Sequence, residues 1–221
     1  MAQAGAVQPK PLMRGWLHAG AAVAAFVITS IYCWLSRNDV PKLLSLLIFG
    51  LSMIELYTVS ALYHIGNWSP RVRGVLRSLD HANIFLLIAG TYTPLCFNVL
   101  AGWARVLLLG SIWLLAVLGL VLAIFTTRLP RWISPVLYVA MGWLAVLALP
   151  LFLARLPVVA ILLLIGGGVL YTIGAIVYAR RWPNPFPRVF GFHEVFHVFV
   201  IGGSAAFIIM IGSWVLPIMR M

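Results

Sequence analysis

The chain is a succession of long apolar stretches separated by short polar segments rich in Arg, Pro and Gly. Each stretch has about 20 residues, enough for a helix to cross a hydrocarbon core about 30 Å thick. The stretches are continuously apolar, whereas barrel strands alternate apolar and polar residues. The pattern therefore predicts seven membrane-spanning helices, over residues 16–35, 43–63, 82–100, 106–125, 133–154, 158–179 and 192–216.

The composition favours the same class. Of the 221 residues, 63% are hydrophobic and 9% are charged, which is too apolar for a domain surrounded by water. We predict an all-α membrane protein, a seven-transmembrane-helix bundle of residues 14–221 that follows a short N-terminal tail of residues 1–13. The first span has full membrane length and no small-residue cleavage site follows it, so we expect it to stay inserted.

The net charge of +11 does not predict nucleic-acid binding, because the basic residues are scattered and form no run that could follow a phosphate backbone. They indicate orientation instead. Ten of the 15 Lys and Arg lie before the first span or after the second, fourth and sixth spans. By the positive-inside rule we expect a cytoplasmic N-terminus and an outside C-terminus, in the plasma membrane, or the inner membrane of a bacterium.

Histidines in the apolar spans are the first candidates for a functional site, because ionisable groups are costly at membrane depth. His193 and His197 are four residues apart, a spacing that places two imidazoles on one helix face and lets them share a metal ion. His64, at the end of the second span, reaches the same depth from the opposite chain direction. Three histidines with a fourth open position are typical of a catalytic zinc site. We predict that His64, His193 and His197 bind Zn²⁺.

Ser60 and Asp80 are candidate catalytic residues beside these histidines. Ser60 lies one turn before His64 on the same helix face. Asp80 is expected in the first turn of the third helix, where it could orient or deprotonate a water on the metal, while Ser60 bonds a substrate or a ligand. The alternative is that Asp80 only complements the helix dipole and that each histidine is satisfied separately by backbone or headgroups. His81 points about 100° away from Asp80 and is expected to pack or lie at the interface.

Three further polar residues complete the inventory. Glu194 lies in a His-Glu-x-x-His string, in which a zincin protease would use it as general base, but no third zincin ligand follows, so Glu194 is a secondary candidate. His18 is expected at the membrane interface, in contact with water and headgroups and outside the site. Glu55 lies nine residues from His64 and should face away from it, with a role that the pattern does not explain.

Four stretches resemble the hemolysin III family, within the group of progestin and adipoQ receptors that includes the adiponectin receptors and is similar to the alkaline ceramidases. They are Ser60-Ala-Leu-Tyr-His64, Leu79-Asp-His-Ala-Asn-Ile-Phe-Leu-Leu-Ile-Ala-Gly-Thr-Tyr-Thr-Pro94, Met141-Gly-Trp143 and His193-Glu-Val-Phe-His-Val-Phe-Val-Ile-Gly-Gly203. The resemblance implies seven helices with a cytoplasmic N-terminus. It also implies zinc on His64, His193 and His197, with Asp80 holding the water on the zinc and Ser60 beside it.

These observations leave three functional hypotheses. The first is a zinc-dependent, ceramidase-like hydrolase of lipid amides or esters, with membrane lipids as substrates. The second is a non-enzymatic sensor or regulator of membrane state with structural zinc. The third is a cytolysin or channel, although no amphipathic stripe that could line a pore is evident. A hormone-receptor role is not expected, because the chain has little extension before the first span and no eighth helix.

Overall fold

A computed structural model of the chain describes residues 10–125 and 133–218. Seven helical spans in these residues are long and apolar enough to cross a membrane, which confirms the predicted all-α bundle. A 3₁₀ turn, Trp143–Ala148, joins two short helices into the fifth span, and a π turn, Ile211–Val215, extends the last one. The helices are α1 (Trp16–Leu35), α2 (Val40–Ile65), α3 (Pro70–Val99), α4 (Gly102–Phe125), α5 (Ile133–Gly142), α6 (Leu149–Leu153), α7 (Val158–Arg180) and α8 (Phe192–Met210).

The arrangement of the helices brings the first and the last helix together. Each of α1 to α4 packs against the next, α7 packs along α8, and α8 returns to contact α1. The inward faces of α2 and α3 form the centre of the core, where Leu46, Phe49, Met53 and Leu95 are buried. We call the end at which α1 and α8 begin and α2 ends the N-terminal end of the bundle. The last residues of α2 and the first turns of α8 meet there.

Small residues set the distance between neighbouring helices. A Cβ atom on Gly203 of α8 would lie 2.6 Å from the Tyr171 ring of α7, and one on Gly90 of α3 would clash with Ser52 of α2. Close approach at small residues is how helices gain contact in a membrane, where apolar surface alone drives little association. These two glycines therefore allow α8 to pack close to α7 and α3 to pack close to α2.

The third helix begins much earlier than hydropathy predicts. Ser69 is its N-cap, with the side chain accepting a hydrogen bond from the Val72 amide, and Pro70 occupies the first turn, both common features of a helix start. The first turns carry exposed arginines and lie outside the apolar stretch that begins at residue 82. Asp80 consequently lies in the third turn, so the prediction that it belongs to the first turn is wrong, and the alternative that it only complements the helix dipole is excluded. Hydropathy marks the part of a helix that suits lipid, and it does not mark the end of the helix.

The fifth span is interrupted in the middle. The Tyr92 hydroxyl of α3 donates to the Gly142 carbonyl at 2.7 Å and accepts from the Ala145 amide at 2.6 Å. Trp143 in the 3₁₀ turn donates its indole N–H to Thr172 of α7 at 3.0 Å. Irregular backbone at membrane depth needs such partners, because lipid offers no hydrogen bonds. The interruption adjoins the internal cavity described below.

Candidate metal centre

Three histidines from α2 and α8 converge at the N-terminal end of the bundle. His64 is the next-to-last residue of α2, and His193 and His197 lie in the first two turns of α8. One nitrogen from each ring lies within 4.8 Å of the others, and the Nε2 atoms of His64 and His193 are 3.0 Å apart. The structure therefore places together the three residues that the sequence predicts to be metal ligands.

The donor set of this cluster fits a zinc ion. Zn²⁺ binds imidazole nitrogens at about 2.0–2.1 Å in tetrahedral geometry, which sets two ligand nitrogens about 3.3 Å apart, close to the His64–His193 distance. His197 is 1% exposed, and its Nδ1 has no hydrogen-bond partner within the described ranges. A buried ring nitrogen without a partner is suited to a ligand role. The cluster could therefore hold zinc or another imidazole-binding metal ion.

The backbone around the cluster fixes the register of the ligands. Gly15 has a φ angle of 87°, which favours glycine, and a Cβ atom there would lie 2.9 Å from the His64 Cβ. The Gly191 amide donates to the Glu194 carboxylate at 2.7 Å in a capping arrangement at the start of α8. The turn before α1 thus packs against the end of α2, and the cap fixes the start of α8, the two helix ends that carry the histidines.

Glu194 has partners on both of its carboxylate oxygens. One oxygen accepts the Gly191 amide, and the other accepts a charge-assisted hydrogen bond from the Arg14 Nε. The carboxylate is 0% exposed, so the ion pair satisfies a buried charge. Glu194 is not part of the histidine cluster, and its geometry is that of a cap and an ion-pair partner.

Asp80 and Ser60 lie directly beside the cluster. An Asp80 carboxylate oxygen is 3.9 Å from the His64 Nε2, and the Ser60 side chain lies beside the Asp80 carboxylate. The 3.9 Å separation is too long for a direct hydrogen bond. Polar groups at such a distance can interact through a bridging water. Both predicted catalytic residues therefore reach the histidines, although they come from different helices.

Two other polar side chains were expected to lie off the site. His81 donates from Nδ1 to the Arg77 carbonyl at 2.8 Å, yet the same nitrogen lies 3.9 Å from Asp80, so His81 is closer to the site than its angular offset indicates. Glu55 is on the exposed face of α2, away from the histidines, as its spacing predicts.

His18 is where the sequence prediction is wrong. It is 2% exposed, its ring stacks on that of His197, and neither ring nitrogen has a hydrogen-bond partner in the part of the chain that is described. Distance from the start of a span indicates depth but not the side of the helix that faces inward. One signal was available in the sequence: the spacing of His18, Ala25 and Thr29 places them on one face of α1. The structure buries that face.

A second polar group lies about two helical turns deeper. The Tyr57 hydroxyl donates to the Ser204 Oγ at 2.6 Å, and the Tyr171 hydroxyl is 2.9 Å from the same oxygen. Tyr57 precedes His64 by seven residues and Ser204 follows His197 by seven, so each continues the helix face of a ligand. The seven-residue interval from His64 could have identified Tyr57 from the sequence, whereas Ser204 and Tyr171 were missed.

An internal cavity extends from the histidine cluster toward the middle of the bundle. Its volume is about 830 Å³, within the size range of small-molecule sites. At the N-terminal end it is lined by the three histidines, Ser60 and Asp80. Deeper in the bundle its walls are largely apolar, with Leu87, Ile88, Leu95, Leu164 and Val200 among the lining residues. The arrangement joins a candidate metal centre to a space for an apolar chain.

Comparisons with known proteins agree with this architecture. The family model described as "Haemolysin-III related" matches residues 7–208. A protein of Bacillus cereus named "Hemolysin-3" is 38% identical over 197 residues, which cover 89% of this chain and 86% of that protein. A "Hemolysin-3 homolog" of Bacillus subtilis (strain 168) is 39% identical over 165 residues, 74% of each chain. With a match over most of its length and relatives at this identity, the chain belongs to the Haemolysin-III related family.

Proposed function

We propose that this protein is a membrane-embedded, zinc-dependent hydrolase of lipid amides or esters. One observation carries the proposal: the histidine cluster, Ser60 and Asp80 together line one end of the apolar cavity. A lipid whose chain fills the cavity would present the polar part of the molecule to these groups. A cavity without ionisable groups, or a histidine cluster without a cavity, would not support this function.

Each group has a role in such a reaction. His64, His193 and His197 hold the zinc ion, which when bound polarises a carbonyl group and makes water more acidic. Asp80 accepts a proton from the attacking water as general base and returns it to the leaving amine or alcohol. Ser60 lies beside the Asp80 carboxylate and positions it. The balanced reaction adds one water across an acyl C–N or C–O bond and yields a carboxylic acid and an amine or an alcohol.

The membrane orientation that suits this reaction follows from the basic residues. We place the N-terminal end of the bundle in the cytoplasm, because the positive-inside rule favours it, and we assign the protein to the plasma membrane, or the inner membrane of a bacterium. The cluster then lies near the cytoplasmic leaflet, within reach of membrane lipids that enter the cavity from the side.

Metal content and turnover of the detergent-purified protein test the proposal together. We expect about one zinc per chain, which His64→Ala and His197→Ala both remove, since the two ligands belong to different helices. Asp80→Asn should keep the metal but lower hydrolysis of an active lipid amide or ester by at least about 100-fold, the usual contribution of a general base. Absence of metal from gently purified protein, or unchanged turnover in Asp80→Asn, would contradict the assignment.

The same metal could act as a structural pin in a sensor of membrane state. The ligands join α2 to α8, so their occupancy would bias the packing of these two helices. Under this second function Asp80→Asn leaves the biological activity intact and His197→Ala lowers thermal stability. The names of the relatives raise cytolysis as a third possibility, which predicts ion conductance when the purified protein is added to planar bilayers.

A further inference from the structure

Three arginines line the cavity at its N-terminal end: Arg14, Arg77 and Arg181. Arg77 lies one turn before Asp80 on α3, and Arg181 directly follows α7. Both of these side chains belong to exposed residues, whereas Arg14 is largely covered. The cavity thus passes from a basic rim, past the histidine cluster, to apolar walls.

The charges of Arg77 and Arg181 on this rim are not balanced by the acids of the protein. The whole chain has four acidic residues. Asp39 caps α2 at the opposite end of the bundle, Glu55 is on the outer face of α2, and Glu194 is paired with Arg14. Asp80 is the remaining one, and within the described ranges it forms no ion pair with Arg77 or Arg181.

We propose that the cavity binds an anionic lipid, with a phosphate or carboxylate headgroup between Arg77 and Arg181 and the acyl chain in the apolar part. Guanidinium groups bind both kinds of oxyanion through paired, charge-assisted hydrogen bonds. The length of the apolar space favours a lipid over a free phosphate ion. The assignment of this lipid as a substrate rests on the proposed hydrolase function.

The relative heights of the groups support this placement. Arg77 precedes Asp80 by three residues, so its backbone lies about 4.5 Å farther toward the N-terminal end of the helix. A headgroup at the arginines would then leave the bonds next to it at the level of Asp80 and the histidines. The chain of the same molecule would extend past Ser60 toward Leu87 and Val200, which line the deeper cavity.

A binding experiment with ether-linked lipids tests the inference without any turnover. Native mass spectrometry of the purified full-length protein is used to titrate an alkylglycerol phosphate, the uncharged alkylglycerol with the same chain, and inorganic phosphate. We expect the alkylglycerol phosphate to bind at least about tenfold more tightly than the alkylglycerol, because each charged contact contributes about a factor of ten. Inorganic phosphate should not compete at millimolar concentration.

Matched variants separate the rim from general surface charge. Arg77→Gln combined with Arg181→Gln should abolish the preference for the charged lipid and leave binding of the alkylglycerol unchanged. The control, Arg71→Gln combined with Arg180→Gln, removes two charges from the same helices and the same end of the bundle, at residues that do not line the cavity, and should keep the preference. Equal affinity for the two lipids, equal losses in both double variants, or effective competition by inorganic phosphate would overturn the inference.

The outcomes also separate this inference from the proposed function. Arginine-dependent binding of the charged lipid by a protein that hydrolyses no lipid would support the ligand and contradict the hydrolase. Metal-dependent hydrolysis that is equally fast for uncharged and anionic lipids would support the hydrolase and contradict the ligand.

Discussion

The imidazole rings of His18 and His197 are stacked, with centroids 3.6 Å apart and planes 13° from parallel. A metal ion lies close to the plane of the imidazole that binds it, so two parallel stacked rings cannot direct their nitrogens at the same ion. His18 is therefore not a fourth ligand beside His197. It occupies the space behind that ring, with the Tyr57 ring against its own edge at 5.0 Å, and fixes the orientation of His197.

Substitution of His18 separates this packing role from any role of its nitrogens. His18→Phe keeps a flat ring in the stack and removes two buried polar atoms that have no partner in the described ranges, so zinc affinity and melting temperature should be kept. His18→Ala removes the ring, and we expect about tenfold weaker zinc binding, the usual effect of losing a group that orients a ligand. Competition with a chelator measures both affinities. An equal loss in the two variants would show that the nitrogens are required.

Removal of the metal should destabilise the bundle. Metal that binds only the folded state adds about 2.7 kcal/mol at a concentration 100 times its Kd, so chelation should lower the melting temperature of the parent protein. The same treatment should not change the melting temperature of His193→Ala. His81→Ala provides the control, because the His81 Nδ1 already bonds the Arg77 carbonyl and the ring is not in the cluster. If chelation left the melting temperature of the parent protein unchanged, that result would contradict a metal that pins α2 to α8.

The features that the sequence predicted are those that depend on local spacing. The length of the apolar stretches predicted the number of membrane spans, and the interval between His193 and His197 placed both rings on one face of α8. His64 could be added because alternating chain direction fixes which ends of the spans lie together. None of these inferences requires knowledge of how a helix is rotated about its axis.

Two of the features that were missed depend on packing between helices. The burial of His18 depends on the rotation of α1 against α2 and α8. The break in the fifth span depends on the Tyr92 hydroxyl from another helix, while hydropathy along that span is uninterrupted. The third feature, the early start of α3, was missed because residues 70–81 are helical but polar, and hydropathy detects only the apolar part of a helix.

Ser60→Ala should weaken catalysis without removing the metal. In the proposed reaction the Ser60 hydroxyl positions the Asp80 carboxylate, beside which it lies. The loss of one hydrogen bond to a charged group costs about 1.5–3 kcal/mol, which corresponds to a decrease in kcat of about tenfold or more. Ser52→Ala is a matched control, because among the described residues the Ser52 hydroxyl bonds only the Phe49 carbonyl of its own helix. Hydrolysis rates and zinc content of both variants check this. A loss of zinc in Ser60→Ala would indicate a role in the metal site instead.

The Arg14–Glu194 ion pair should contribute to stability and not to proton transfer. Arg14→Gln leaves the Glu194 carboxylate buried without its cation, which costs about 3–5 kcal/mol. Glu194→Gln should cost less, because the Arg14 side chain is 20% exposed and can reach water, and the amide oxygen can still accept the Gly191 N–H. The double variant should be more stable than the sum of the single losses predicts, since the two residues interact directly. Equilibrium unfolding of the three variants measures these differences. If Glu194 were the general base, Glu194→Gln would abolish hydrolysis with its stability and zinc content unchanged, whereas we expect the active fraction to follow the folded fraction.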